Sequence, residues 1–265
     1  MPDSDPLSER LQAILRGAGE LAVTTSRRAY KRWTKGDDNS PVTEADIAVN
    51  DFLRQRLSAL VPEAGWLSEE TEDDFAGRSV ATAWIVDPID GTRAFLSGRA
   101  DWTISVALVE DGRPRLAALY AAVTAEMFFA ARGKGAMLNG GAIRASDGEN
   151  VVGASVAGPK RYLDRLNHLN AGIDARPKIH SLALRFARVA EGTLDAALAS
   201  PGSHDWDLAA ADLLVHEAGG LLTDTAGQRP TFNRAHIVHG ALVGAGPARH
   251  AALLELVSGR QSEFA

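Results

Sequence analysis

Four short apolar runs, which follow one another in the first half of the chain, most constrain the fold of this sequence. They cover residues 82–87, 103–109, 115–122 and 126–131. Runs of this length bounded by turn residues predict strands, and helical spacing of apolar residues predicts helices over 7–30 and 180–191. Because the two kinds of element are mixed without a regular βαβ alternation, the pattern favours a layered α+β fold over a doubly wound sheet or a barrel.

Composition and charge exclude several classes of protein. The 265 residues suffice for one large domain or two closely packed halves. The chain has no Cys, which excludes disulfide scaffolds, thiolate metal sites and cysteine nucleophiles. Its formal net charge of −6 at pH 7 argues against a nucleic-acid partner, because such a partner requires a basic face that replaces phosphate counterions.

The sequence does not predict a membrane protein. The first residues, MPDSDPLSERLQAILRGAG, lack the basic and apolar regions of a signal peptide. No apolar run approaches the roughly 20 residues that a membrane-spanning helix requires. The sequence therefore predicts a soluble, cytoplasmic protein without a membrane partner.

Two carboxylates stand three residues apart in the segment Asp87-Pro88-Ile89-Asp90-Gly91-Thr92. A predicted strand ends at Asp87, and a turn at Pro88 would let Asp87 and Asp90 converge on one cation. Gly91 permits close approach of the backbone to a ligand, and a helix beginning at Gly91-Thr92 offers amides that attract phosphate. By itself, however, an Asp-Pro pair is more typical of an ordinary turn.

Further carboxylates lie at Glu69-Glu70 and at Asp207, where a helix is predicted over 207–218. Taken alone, Glu69-Glu70 is typical of a solvated pair and Asp207 of a helix N-cap, and the acids at 72–74 predict a solvated loop. In combination, oxygen ligands without Cys, and without His at ligand spacing, select Mg²⁺ or Mn²⁺ over Zn²⁺. Magnesium sites of this composition commonly serve phosphate chemistry.

Four motifs, in this order along the chain, resemble the inositol monophosphatase superfamily. They are SPVTEAD, LSEET, WIVDPIDGTRAF and HDWDLAAADLLVHEAGG, within about residues 35–224. The resemblance implies a single phosphatase domain built as a five-layer αβαβα sandwich, with a metal-binding half of about 1–145 and a second half of about 146–265. It also implies Mg²⁺-dependent hydrolysis of a small phosphomonoester, inhibition by Li⁺ and a homodimer.

The resemblance assigns metal ligands to this sequence. Glu69, Asp87 and the Ile89 carbonyl would hold a first ion, and Asp87, Asp90 and Asp207 would hold a second. A weaker third ion near Glu69 is common in the family, and Mn²⁺ is expected to substitute for Mg²⁺. Bridging by Asp87 would hold two cations about 3.5–4 Å apart, as two-metal catalysis requires.

The resemblance also assigns the catalytic groups. Thr92 and Asp46 match the pair that orients the attacking water, and Glu70 would support the water bound to the metal. The backbone amides of Gly91 and Thr92 match the phosphate cradle. Phosphoryl transfer of this kind needs an in-line nucleophile and neutralised phosphate oxygens, and no covalent intermediate.

The motifs leave the substrate open. After Asp90 the chain has GTRAF, where inositol monophosphatases usually have GTxNF and 3'(2'),5'-bisphosphate nucleotidases usually have GTKEF. Histidinol-phosphate phosphatases share stretches like GTRAF. The segments 40–43 and 68–70 are more similar to the nucleotidases, which favours 3'-phosphoadenosine 5'-phosphate over inositol phosphate and histidinol phosphate. A non-catalytic regulatory protein on the same fold is the alternative from another class.

Two residues are candidates for substrate contact. Arg185 lies in a stretch similar to one in the nucleotidases, and its guanidinium would grip a second phosphate. The alternative places Arg185 on the exposed face of an amphipathic helix. His204 would line the leaving-group pocket, although a loop histidine is more often incidental.

Overall fold

The computed structural model describes residues 6–26, 32–35, 40–78, 81–169, 171–257 and 263–264. The helices in this part of the chain are α1 (Pro6–Ser26), α2 (Glu44–Leu60), α3 (Phe75–Arg78), α4 (Thr92–Leu96), α5 (Lys160–His168), α6 (Leu182–Glu191), α7 (Asp205–Glu217) and α8 (Pro247–Val257). The end of the helix predicted over 7–30 lies outside the described residues.

The strands alternate irregularly with these helices. They are β1 (Arg32–Lys35), β2 (Ser40–Thr43), β3 (Gly65–Ser68), β4 (Thr82–Asp90), β5 (Thr103–Glu110), β6 (Arg113–Ala121), β7 (Glu126–Ala131), β8 (Ala136–Leu138), β9 (Gly141–Ile143), β10 (Ser155–Ala157), β11 (Asp174–Ala175), β12 (Ala196–Ala199), β13 (Ser203–His204), β14 (Leu221–Asp224), β15 (Val238–His239) and β16 (Leu242–Ala245).

The four predicted apolar runs form the centre of a seven-stranded sheet in the order β3-β4-β5-β6-β7-β8-β9. Only the β3–β4 pair of this sheet is parallel. Side chains alternate between the two faces, and both faces are buried. On β5, Ile104 and Val106 pack against α1 and α2, whereas Ala107 and Val109 pack towards α7. Burial on both faces explains why the runs are continuously apolar.

A second sheet completes the layers. Its five strands have the order β11-β10-β12-β16-β14. Helices α6 and α7 lie between the two sheets, α1 and α2 cover the outer face of the first sheet, and α5 and α8 cover the outer face of the second. Three apolar cores fill the spaces between these layers. The α+β fold and the αβαβα sandwich are therefore confirmed.

The sequence predicts a loop or hairpin over residues 133–141, and β8 pairs with β9 there as an antiparallel hairpin. The strand predicted over 151–157 is shorter in the structure, since it begins only at Ser155. Helix α5 carries no clear apolar run in the sequence and was not predicted. None of the described helices is both long and apolar enough to cross a membrane.

Candidate active site

Asp87 and Asp90 reach the same side of the first sheet because β4 is irregular between them. Residues three apart on a regular strand point to opposite faces. Here Asp87 pairs with Ser105 but Asp90 pairs with Thr103, so three steps on β4 oppose two steps on β5. A bulge of this kind inserts one residue and redirects the side chains that follow. Both carboxylates therefore face α6 and α7.

The N-terminus of α6 holds the Asp90 carboxylate. Its Oδ2 accepts hydrogen bonds from the Ser181 hydroxyl (2.6 Å) and the Ala183 amide (2.7 Å), and its Oδ1 accepts one from the Leu182 amide (3.2 Å). Ser181 is also the N-cap of α6, since its Oγ accepts from the Leu184 amide. Sequence reasoning missed Ser181, although a serine just before an apolar helical run is an N-cap signal.

Gly91 also has a structural role, besides the phosphate contact that is predicted for its amide. Its φ is +93°, in the left-handed region, and a Cβ there would lie 3.1 Å from the Ser181 amide nitrogen. The glycine therefore allows the segment before α6 to approach the end of β4, which places Ser181 within reach of Asp90.

Asp207 completes the cluster from the first turn of α7. Its Oδ2 accepts a hydrogen bond of 2.6 Å from the His204 amide, as expected of an acid that caps a helix. Ligand oxygens of Asp87, Asp90 and Asp207 all lie within 4.8 Å of one another. The proposed ligand Glu69 is outside this grouping of the described residues, but its charge still acts on Asp87 and Asp207.

The cluster concentrates negative charge that the described part of the protein offsets only in part. Burial raises the pKa of Asp87, Asp90 and Asp207, and mutual repulsion adds to the increase for Asp87 and Asp207. The charge of Arg185 opposes the increase for Asp90, but no Lys or Arg among the described residues lies within ion-pair distance of the three carboxylates, and His204 Nδ1 is 3.9 Å from Asp207. Three converging carboxylates without a Lys or Arg ion-pair partner fit a divalent metal ion.

Metal removal is expected to destabilise the protein most at neutral pH. The folded-state pKa values of the three aspartates lie above the unfolded value of 3.8, so their contribution to stability falls as pH rises through the folded pKa values. A divalent cation reverses this loss by binding the ionised form. At a hundredfold excess over Kd, Mg²⁺ should add about 2.7 kcal/mol, or roughly 5–10 °C in Tm, at pH 7.5. Thermal unfolding in EDTA and in Mg²⁺ at pH 5 and 7.5 tests this; equal stabilisation at both pH values would contradict it.

Thr92, Asp46 and Glu70 lie beside the cluster. The Thr92 hydroxyl is 3.1 Å from the Ile89 carbonyl oxygen and 3.5 Å from Asp46 Oδ1. Asp46 is buried, and its Oδ2 accepts from the Thr43 amide and hydroxyl, which caps α2. Burial raises the pKa of Asp46 to about 6, and the charge of Glu70 adds to this increase. The two residues of the predicted relay therefore lie next to each other, with Asp46 Oδ1 3.5 Å from the Thr92 hydroxyl.

The two candidate substrate residues have different surroundings. His204 stacks on Trp206 with a centroid distance of 4.6 Å and is partly exposed beside Asp207. Arg185 is 7% exposed, and its terminal nitrogens donate to the carbonyls of Leu198 (2.9 Å) and Ile179 (2.8 Å). The alternative of an exposed helix face is therefore wrong for Arg185. These two hydrogen bonds fix the orientation of the guanidinium, whose Nε makes no hydrogen bond to the described residues.

Comparison with known proteins agrees with this site. The model of the inositol monophosphatase family matches residues 3–262. A histidinol-phosphatase of Mycobacterium tuberculosis is 36% identical over 83% of this chain and 84% of its own length. An inositol-1-monophosphatase of Rhizobium meliloti is 34% identical over 91% and 93%. The 3'(2'),5'-bisphosphate nucleotidase CysQ of Aggregatibacter actinomycetemcomitans is 30% identical over 75% and 77%.

The fold is also that of solved relatives. The structure of extragenic suppressor protein suhB from Bartonella henselae superposes with a TM-score of 0.85 at 26% identity, covering 97% of this chain and all of that one. Fold, acidic site and relatives together define the protein as a phosphatase. It belongs to the inositol monophosphatase family. Relatives named for three different phosphate esters match at comparable identity, so family membership leaves the substrate to be argued from the site.

Proposed function

We propose that the protein hydrolyses a small phosphomonoester with the help of bound Mg²⁺. The observation that carries this proposal is the convergence of Asp87, Asp90 and Asp207 beside the Thr92–Asp46 pair. A purely structural role would gain nothing from three carboxylates without a Lys or Arg ion-pair partner among the described residues, since clustered buried charge costs stability. We further propose a cytoplasmic homodimer that is inhibited by Li⁺, with Mn²⁺ able to replace Mg²⁺.

The residues divide the work of hydrolysis. Bound Mg²⁺ would neutralise the phosphate oxygens and lower the pKa of the attacking water. Asp46, acting through the Thr92 hydroxyl, accepts the proton of that water, and Glu70 beside it helps to hold the water in line. The amides of Gly91 and Thr92 orient the phosphate.

A basic cavity next to the cluster supports a substrate with an anionic leaving group. It has a volume of about 530 Å³ and is lined by Lys160, Arg176, Lys178 and Arg185, with no carboxylate in its wall. Leu182, whose amide donates to Asp90, forms part of the same wall and connects the cavity to the acidic cluster. A leaving group on this side of the scissile phosphate therefore meets positive charge.

This charge discriminates among the three substrates that the motifs left open. Adenosine 5'-phosphate, the leaving group of 3'-phosphoadenosine 5'-phosphate, is an anion. Inositol is neutral, and histidinol carries a protonated amine. Coulomb attraction favours the first and opposes the last. We therefore propose 3'(2'),5'-bisphosphate nucleotidase activity, with inositol phosphate and then histidinol phosphate as the alternatives.

Lys178 is the best candidate for contact with the second phosphate. It is exposed on the cavity wall, and no described carboxylate forms an ion pair with it, whereas Lys160 pairs with Asp164 and Arg176 with Asp174. Arg185 adds buried positive charge to the wall itself, and its terminal nitrogens donate to backbone carbonyls.

Substrate preference provides the test. We expect Lys178→Gln to raise KM for 3'-phosphoadenosine 5'-phosphate about tenfold, the loss of one charge-assisted contact. It should leave kcat, and both constants for adenosine 3'-phosphate, nearly unchanged. Phosphate release from these two nucleotides, inositol 1-phosphate and histidinol phosphate, each with Mg²⁺, measures the preference.

Lys134→Gln, in the turn between β7 and β8, is the matched control, since it removes the same charge outside the cavity. Equal KM values for the two adenosine nucleotides would contradict the anionic leaving group. No phosphate release from any ester would favour the regulatory alternative instead.

A further inference from the structure

A buried arginine joins the two segments that flank the acidic cluster. Arg78, the last residue of α3, is only 1% exposed. Its guanidinium makes a bidentate ion pair with Asp73, with Nη2 2.7 Å from Oδ2. Asp73 belongs to the acidic stretch that follows Glu69 and Glu70, so this stretch is not simply a solvated loop.

The other side of the same guanidinium holds the segment before β15. Arg78 Nη1 donates to Asn233 Oδ1 (3.0 Å), Nη2 donates to the Arg234 carbonyl (3.1 Å), and Asn233 Nδ2 donates back to the Arg78 carbonyl (3.2 Å). The guanidinium thus donates four hydrogen bonds in a fixed planar geometry, which a lysine cannot reproduce.

Asn233 passes this connection to the helix that carries Asp207. The backbone amide of Asn233 donates to Asp205 Oδ2 (2.7 Å), and His239 Nε2 is 2.7 Å from Asp205 Oδ1. Asp205 is fully buried as the first residue of α7, two residues before Asp207. A continuous polar chain therefore runs from the loop after Glu69 to the start of α7.

The cluster needs such a brace. Glu69 lies near Asp87 and Asp207, and their like charges repel one another. Without a rigid connection, the loop that carries Glu69 and the helix that carries Asp207 would relax apart. Carboxylates that have moved apart bind a small divalent cation less tightly, because Mg²⁺ demands a fixed ligand geometry.

We propose that Arg78 is a positioning residue that fixes the Glu69 loop relative to Asp207 and thereby sets the affinity of the site for its divalent cation. This inference rests on the proposed metal-dependent function. The Arg78 guanidinium also lowers the pKa of Asp73, which favours the carboxylate form of this partner.

The sharpest test removes the two hydrogen bonds between the Asn233 side chain and Arg78 and leaves the backbone intact. Asn233 has φ +57°, in the left-handed region, so glycine fits its backbone and keeps the amide that donates to Asp205. Asn233→Gly should raise the Kd for Mn²⁺, measured by electron paramagnetic resonance on the protein without substrate, about tenfold or more. At saturating metal, KM for the phosphate ester should stay unchanged.

Two controls separate positioning from a general loss of stability. Asn139→Gly removes the side chain of another asparagine with a left-handed backbone conformation. The Oδ1 of Asn139 accepts a hydrogen bond from the Met127 amide in β7, away from the acidic cluster. Arg78→Lys is a second test variant, and Arg249→Lys is its control. The control alters another ion pair of a buried arginine, that of Arg249 with Asp195. Both controls should lower Tm without changing the Kd for Mn²⁺.

The outcomes are distinguishable. Tighter Mn²⁺ binding by the wild type than by both Asn233→Gly and Arg78→Lys supports the proposal. Equal Kd values in the wild type and folded Asn233→Gly would overturn it while leaving the metal-dependent function intact. If the wild type itself binds no Mn²⁺, the proposed function fails first.

Discussion

Replacing Asp87 by Asn is expected to lower kcat/KM at least about 10³-fold and to leave the fold intact. The aspartate is one of the three converging carboxylates, and the resemblance to the family assigns it to both metal ions. Loss of this charge would remove several kcal/mol of cation binding and transition-state stabilisation. Steady-state kinetics across a Mg²⁺ titration measures the effect.

Asp87→Asn is a cleaner variant than Asp90→Asn. From the described residues, Asp87 accepts one hydrogen bond, at Oδ1 from the Ile89 amide, which an asparagine carbonyl can also accept. Both oxygens of Asp90 accept from amides or a hydroxyl, so an asparagine there would set its NH₂ against a donor.

The thermal stability of Asp87→Asn, measured in EDTA and in Mg²⁺, provides the control for this variant. Because repulsion from Glu69, Asp90 and Asp207 adds to the burial that raises the pKa of Asp87, removing its charge should raise Tm in EDTA. Mg²⁺ should then stabilise the variant much less than the wild type. Activity within tenfold of the wild type would contradict a catalytic role for Asp87.

The ligand residues were predictable because each stands where the local sequence pattern changes. Asp87 ends an apolar run, and Asp207 lies in the first turn of a helix, so their positions follow from short-range rules. The convergence of Asp87 with Asp90 was attributed to a turn at Pro88. The structure achieves it with a bulge in β4, which depends on the register with β5 and leaves little local signal.

Long-range contacts explain what sequence reasoning missed. Asp205 meets His239 across 34 residues and Asn233 across 28, and Arg78 meets Asn233 across 155. No spacing rule connects such positions. Arg185 was misplaced for a related reason: helical periodicity identified α6, but α6 lies between two sheets, so both of its faces are buried.

Replacing Thr92 by Val is expected to lower kcat by about 10²- to 10⁴-fold with little change in KM or Tm. Valine matches threonine in shape, and the Thr92 hydroxyl contacts only the Ile89 carbonyl and Asp46 among the described residues. Asp46→Asn is a poorer test because Asp46 also caps α2 through Thr43. Thr124→Val, which removes a hydroxyl in the turn between β6 and β7, is the matched control.

The pH profile distinguishes the relay from a merely structural hydroxyl. Only the ionised Asp46 carboxylate can accept a proton, so kcat of the wild type should rise with pH as this group ionises. Burial raises the pKa of Asp46 to about 6, and a neighbouring cation lowers it again, so the limb should lie at or below pH 6 when metal is bound. Thr92→Val breaks the path between Asp46 and the water, and its residual rate should lose this limb. A limb that persists unchanged in Thr92→Val would show that another group deprotonates the water.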